Sequence, residues 1–102
     1  MKQSGKKFDN NKKARWDCVP FDILDGLAQV MGYGAEKYNE NPENPNWKKV
    51  EGGYHRYFGA LMRHLVADRN GEYLDKESGL PHMWHAMFNV VCLTHFSKEN
   101  QK

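Results

Sequence analysis

The stretch that decides the fold covers residues 52–71 and reads GGYHRYFGALMRHLVADRNG. Its apolar side chains recur at steps of three and four residues: Tyr54, Phe58, Leu61 and Leu65, with Tyr57 and Met62 beside them. This spacing places them on one face of an α-helix. Gly52-Gly53 precedes the pattern, and Asn70-Gly71, a pair suited to a left-handed helix cap, follows it. The stretch therefore predicts an amphipathic helix with both ends marked.

A further helix is predicted after a loop over Glu72–Gly79. Leu80-Pro81 suits its start, because a helix needs no backbone N–H donor in its first turn. Its apolar face carries Trp84, Met87, Phe88, Val91 and His95, and the pattern ends near Phe96.

A third helical pattern lies upstream, where Pro20 marks its start. Its apolar residues are Phe21, Leu24, Leu27, Ala28 and Met31. Gly32 and Gly34 weaken helix continuity, so we expect a bend, or else a pause, before Ala35–Tyr38. Asn39–Trp47 holds two prolines and four asparagines, which predicts a loop.

These patterns predict an all-α fold, since no alternation typical of a strand is present. We expect a compact bundle of three main helices with two long loops. Residues 1–14 are predicted to form a flexible basic arm, residues 15–97 a single helical domain, and residues 98–102 a tail. A chain of 102 residues stabilises itself only marginally, so we expect association between copies to complete the bundle.

Composition and charge narrow the class of protein. Apolar residues make up 39%, which suffices for a modest core and excludes disorder throughout. No run approaches the ~20 apolar residues of a membrane helix, and two cysteines make no disulfide scaffold. We therefore expect a cytoplasmic protein without a membrane partner.

The net charge of +2 conceals an asymmetry between arm and body. Residues 1–16 carry six cationic and one acidic side chain, whereas residues 17–102 carry nine and twelve. A duplex-binding domain is normally basic on its body, so this pattern disfavours nucleic acid as a partner. A single-strand binder that uses the arm and Trp47 is a remaining alternative.

Two histidines at the start of the third predicted helix are the first candidates for chemistry. His82 and His85 are three residues apart and lie on one helix face with Asn89. Imidazoles so placed can bind a metal, hold a phosphate or exchange protons. Polar positions at a boundary between helices would show the same spacing.

Other candidates surround this pair in the sequence. Arg63 and His64 suit phosphate oxygens, and Trp47 could stack on a base. Asp75 and Glu77 directly precede the histidine helix, where they could orient an imidazole or bind a cation. Capping, turn and solvent-exposed roles explain each of these residues as well.

Five short blocks, taken in order, resemble the N-terminal domain of bacteriophage dATP/dGTP diphosphohydrolases. They lie at residues 14–22, 33–38, 46–47, 60–65 and 75–86, and the resemblance covers about residues 14–96. It implies hydrolysis of a purine deoxynucleoside triphosphate to monophosphate and pyrophosphate, in a phage protein acting in the host cytoplasm. Matched positions with candidate roles are Arg15, Lys37, Tyr38, Asn46, Trp47, Arg63, His64, Asp75, Ser78, Gly79, His82 and His85.

The resulting hypothesis is a purine-nucleotide-binding protein with hydrolase activity. His82, His85 and Glu36 are then the catalytic candidates, and Asp75 and Glu77 the ligands of Mg²⁺ or Mn²⁺. Nucleotide-binding roles fall to Arg15, Lys37, Tyr38, Asn46, Trp47, Arg63, His64, Ser78 and Gly79.

The alternative is a non-catalytic protein that sequesters a cyclic or ADP-ribose-type nucleotide signal of bacterial antiviral defence. Three or four acids converging on the pocket would favour hydrolysis, whereas arginine, histidine and aromatic residues alone would favour sequestration.

Overall fold

Three α-helices form where the periodicity of the apolar residues predicts them. The computed structural model describes residues 12–39 and 41–100. Helix α1 spans Phe21–Lys37, α2 spans Gly53–Arg69 and α3 spans His82–Asn100. Two short 3-10 helices, Trp16–Cys18 and Asn46–Lys49, complete the order. Because these ranges contain no β-strand, the all-α prediction is confirmed.

Parts of the predicted arm and tail lie outside the described residues. These are residues 1–11 and residues 101–102. The remaining arm residues, 12–14, are exposed and outside any helix. Helix α3 continues beyond its predicted end near Phe96 and reaches Asn100. No helix in the described part of the chain is long and apolar enough to cross a membrane.

The helix ends follow local chemistry. The carbonyl of Pro20 accepts hydrogen bonds from the N–H groups of Ile23 and Leu24 at 2.9 and 3.0 Å, so α1 begins at the predicted proline. Gly71 adopts a φ of +98° just after α2 ends, as the Asn70-Gly71 pair predicts. Helix α1 runs through both of its C-terminal glycines to Lys37, and the alternative of a pause there is wrong.

Helices α2 and α3 pack antiparallel. The start of α2 meets the end of α3, where a Cβ at Gly53 would lie only 2.3 Å from the Phe96 ring. Near the other end, His64 of α2 contacts His82 of α3. Helix α1 packs against the first half of α3, where a Cβ at Gly26 would lie 2.6 Å from the Trp84 ring.

The core is small and partly polar. Its buried apolar side chains are Val30, Ala86 and Cys92, and His82 and Asn89 are buried with them. Asn89 satisfies its amide group by donating to the backbone oxygen of His85 at 2.9 Å. A core of this size agrees with the expectation that copies of the chain associate, which stays a prediction.

The predicted apolar stripe of α2 is partly wrong. Tyr54, Phe58 and Met62 are 38%, 48% and 42% exposed. The face that meets α3 lies one residue earlier and carries Tyr57 and His64. A spacing of three and four residues fits either face of α2. The close approach of Gly53 to Phe96 turns the face with Tyr57 and His64 toward α3.

Candidate functional site

Three histidines meet where α2 crosses the start of α3. Nδ1 of His64 lies 2.8 Å from Nδ1 of His82. The His64 ring also stacks on the His85 ring, with centroids 4.7 Å apart and planes 9° from parallel. His82 and His85 reach it from successive positions on one face of α3, as their spacing predicts. The third member comes from another helix, and the crossing of α2 and α3 brings it in.

Glu72 orients the buried His82. Its Oε2 lies 2.7 Å from Nε2 of His82, while only 5% of that residue is exposed. An ionised carboxylate only accepts hydrogen bonds, so Nε2 of His82 donates and Nδ1 of a neutral ring is the acceptor facing His64. Nδ1 of His64 is then the donor in the bond between the two histidines.

His85 is linked to Asp75 through a hydroxyl group. The Ser78 hydroxyl donates to Oδ2 of Asp75 at 2.9 Å, and Nε2 of His85 lies 2.7 Å from the same hydroxyl oxygen. Since the Ser78 hydroxyl donates its proton to Asp75, Nε2 of His85 donates to Ser78, and Nδ1 of His85 carries the lone pair. The result is a hydrogen-bonded chain from imidazole to carboxylate.

Burial and mutual proximity keep two of the histidines neutral. Burial lowers the pKa of His64, and the imidazoles of His85 and His82 lower it further. Burial also lowers the pKa of His85, although Asp75 opposes this effect. For Asp75, burial raises the pKa, but the two hydrogen bonds from Ser78 and the nearby imidazoles outweigh it, and the net pKa lies below its ordinary value.

Glu77 ties the loop before α3 to the end of α1. It forms an ion pair with Lys37, and it accepts a hydrogen bond from the Tyr33 hydroxyl at 3.0 Å. Hydrogen bonds from Lys37 and then from Tyr33 lower the pKa of Glu77, and the same carboxylate raises the pKa of Lys37. The Tyr33 ring in turn meets His85 edge-on. A fixed cation therefore stands beside the histidines.

Two adjoining cavities open next to this cluster. The smaller has a volume of about 200 Å³ and is lined by His64, Asp75, Glu77, His85 and Lys37, among others. The larger has a volume of about 470 Å³, which lies within the range of small-molecule sites. Gly34, Tyr38 and Phe88 line both, so the two cavities are next to each other.

Aromatic rings form the walls of the larger cavity. Trp47 enters from the 3-10 helix Asn46–Lys49 and meets Phe88 and His95 edge-on, at centroid distances of 6.2 and 5.4 Å. Tyr38 and Tyr57 complete this wall. Flat rings around an apolar cavity suit a planar ligand such as a nucleobase.

The structure brings together most of the residues predicted for the site. Around the small cavity lie His64, His82, His85, Asp75, Glu77, Ser78 and Lys37. Tyr38, Asn46 and Trp47 line the large one. Their catalytic and binding roles stay predictions.

Four predicted residues lie elsewhere. Arg15 is exposed and paired with Asp17 through two hydrogen bonds of 2.8 and 2.7 Å. Glu36 and Arg63 are exposed and line neither cavity. Gly79 serves the turn, with a φ of +75° and an N–H that donates to the Asp75 carbonyl.

Sequence reasoning missed Glu72, Tyr33 and Phe88. Glu72 reaches His82 because the loop folds back, where the N–H of His82 donates to the Tyr73 carbonyl at 2.9 Å. A glutamate at the exit of one helix and a histidine at the entry of the next were a possible signal. Phe88 belongs to an apolar pattern that looks like ordinary core, and Tyr33 lies between the two glycines at which a bend was expected.

One group of potential metal ligands is present in the described part of the chain. His64, His82 and Asp75 each place a ligand atom within 4.8 Å of the others. Asp75 of the predicted metal-binding pair belongs to this group, whereas Glu77 pairs with Lys37 and Tyr33. The metal-binding role of both carboxylates stays a prediction.

Comparison with known proteins gives one positive result. The family model for dATP/dGTP diphosphohydrolase, N-terminal, matches residues 2–102. Neither a curated protein nor a solved structure matches the chain. Because the match covers almost all of the sequence, the chain belongs to the dATP/dGTP diphosphohydrolase N-terminal domain family.

Proposed function

We propose that the protein binds a purine deoxynucleoside triphosphate and hydrolyses it to the monophosphate and pyrophosphate. One observation carries the proposal: a cluster of imidazoles and carboxylates opens directly into an aromatic-lined cavity of nucleoside size. The family match supports the same reaction class. Asp75 and Glu77 line the smaller cavity, and Glu72 contacts His82 from outside it. Carboxylates next to the imidazoles are the type of group that can hold the cation used in hydrolysis.

Each cavity binds a different part of the nucleotide. The base stacks between the rings of Tyr38 and Trp47 in the larger cavity, where flat apolar walls favour a purine. The phosphates extend past Gly34, which offers no side chain to obstruct them, into the smaller cavity. There Lys37 supplies a positive charge next to the histidines.

His85 accepts the proton of the attacking water. Water attacks the α-phosphorus, a new P–O bond forms, and the bond to the oxygen that bridges to the β-phosphate breaks. The proton of the water passes to Nδ1 of His85, which is neutral because burial lowers its pKa. The chain through Ser78 to Asp75 holds the ring and stabilises the imidazolium. A bound divalent cation would supply charge neutralisation for the departing pyrophosphate.

The test uses the purified chain with dATP, dGTP and dCTP and a divalent cation, with products separated by chromatography. We expect turnover of the purine nucleotides to monophosphate and pyrophosphate. His85→Gln should abolish turnover, whereas His55→Gln, an exposed histidine outside both cavities, should retain it. Nucleotide that is bound and then recovered unaltered after denaturation would refute hydrolysis and establish sequestration instead.

A further inference from the structure

We propose that His64, His82 and Asp75 bind one zinc-like divalent metal ion, and that Glu72 is the positioning residue for His82. This inference rests on the proposed function, because it names the cation that the reaction would use. It assigns His64 and His82 as ligands together with Asp75, whereas the hypothesis from the sequence assigned Asp75 and Glu77.

The geometry is close to that of a bound ion. Ligand atoms of the three residues lie within 4.8 Å of one another. An ion with bonds of about 2.0–2.2 Å holds neighbouring ligand atoms roughly 3–4 Å apart, so a movement of about 1 Å closes the set. The Nδ1 atoms of His64 and His82 are 2.8 Å apart and share the Nδ1 proton of His64. Binding of an ion requires that proton to leave Nδ1 and the two nitrogen atoms to separate slightly.

Burial gives the set one closed and one open side. His82 is buried beneath the site, while His64 and Asp75 are half-buried and line the small cavity. Three protein ligands with one side facing a cavity leave room for water or a phosphate oxygen. Catalytic metal sites have this arrangement, whereas structural sites are closed by a fourth protein ligand.

The donor atoms select the type of ion. Magnesium prefers an octahedron of oxygen atoms, most of them from water, carboxylates and phosphates. Two imidazoles and one carboxylate suit zinc and its first-row neighbours, whose affinity for nitrogen is much higher. The ligand set therefore favours a zinc-like ion over magnesium.

Glu72 supplies a second, independent feature of a metal site. It accepts the Nε2 proton of His82 and so directs the lone pair of Nδ1 toward the ligand set. A metal-binding histidine almost always donates its other nitrogen to such a partner, and loss of that partner typically weakens metal binding 10–100-fold. Asp75 is held in the same manner by the N–H and hydroxyl of Ser78.

The test measures metal binding by the full chain in the absence of nucleotide. Chelator-treated protein is titrated with Zn²⁺, Co²⁺ and Mg²⁺ by calorimetry, and the visible absorption of bound Co²⁺ reports its ligand geometry. We expect one equivalent of Zn²⁺ or Co²⁺ and much weaker binding of Mg²⁺. His64→Gln and Asp75→Asn should weaken Zn²⁺ binding by at least about 100-fold, and Glu72→Gln by about 10–100-fold.

His55→Gln is the matched control, since it removes an exposed histidine from the same helix as His64. Equal affinity for Zn²⁺ in His55→Gln and His64→Gln would overturn the assignment, as would tighter binding of Mg²⁺ than Zn²⁺. Circular dichroism of each variant establishes that it is folded. His82 is left unaltered because its burial makes a substitution there a test of folding.

Binding and turnover separate the two proposals. One equivalent of zinc bound with the expected variant effects, but no nucleotide hydrolysis, would sustain the metal site and refute the proposed function. Equal hydrolysis by the wild-type chain and by His64→Gln in the presence of magnesium would refute the metal site and sustain the proposed function.

Discussion

Replacing Gly26 with alanine is expected to destabilise the protein, whereas the same change at Gly32 is expected to stabilise it. Both glycines lie inside α1. A Cβ at Gly26 would lie 2.6–2.7 Å from three ring atoms of Trp84, closer than such atoms approach one another. A Cβ at Gly32 would meet no atom within 4 Å.

The magnitude follows from two opposing effects. Alanine in a helix interior is favoured over glycine by about 1 kcal/mol, and both variants gain this amount. Only Gly26→Ala must also displace a rigid indole ring from α1, and overpacking of this kind costs about 1–3 kcal/mol. The helix preference cancels between the variants, so their free energies of unfolding should differ by about 1–3 kcal/mol.

Urea unfolding followed by far-UV circular dichroism measures this difference directly. Tryptophan fluorescence provides a second signal, because a displaced Trp84 changes its environment in Gly26→Ala alone. Displacement also moves α1, which carries Tyr33 and Lys37, so the small cavity should change with it. Equal stability of the two variants would refute the close packing of Gly26 in α1 on Trp84 in α3.

Three further predictions address the cavity, the core and the exposed face. Trp47→Ala should raise the Kd for dATP about 5–150-fold, because base stacking contributes about 1–3 kcal/mol. Replacement of the exposed Trp16 with alanine should leave the Kd unchanged. Equal effects of the two substitutions in calorimetry would contradict the assignment of Trp47 to the base. Burial raises the pKa of Cys92 to about 12, so a thiol reagent at pH 8 should modify only Cys18 in the folded chain and both cysteines after denaturation. Phe58→Asp should lower the sedimenting mass if copies associate through the exposed face of α2, and a wild-type chain that sediments as a monomer would refute that association.

Local signals made the helices predictable. Pro20 fixes its own φ and needs no donor, so it marks the start of α1 wherever the rest of the chain lies. Gly71 adopts the left-handed conformation that the end of α2 requires. The face of α2 was less predictable, because Tyr54 and Phe58 have the spacing of a core stripe although they point away from α3. Periodicity reports an apolar face without reporting what covers it.

The site was predictable only where its members share a helix. His82 and His85 have a spacing that fixes their common face. His64 was assigned to a phosphate site with Arg63, its neighbour in sequence, yet the crossing of α2 and α3 separates the two. The signal for Glu72, a glutamate after one helix and a histidine at the start of the next, was weak, because its contact with His82 depends on how the intervening loop returns.

The loop between α2 and α3 brings the members of the site together, and hydrogen bonds of its backbone hold it in place. The N–H of Asp75 donates to the Leu80 carbonyl at 2.8 Å, and the N–H of His82 donates to the Tyr73 carbonyl at 2.9 Å. These bonds hold the loop closed without the side chains of Glu72 or Glu77. Substitutions of those carboxylates should therefore change metal and phosphate binding while the fold persists. The helices place the nitrogen atoms and the loop backbone places the oxygen atoms, so the chemistry of the site can vary without a change in its architecture.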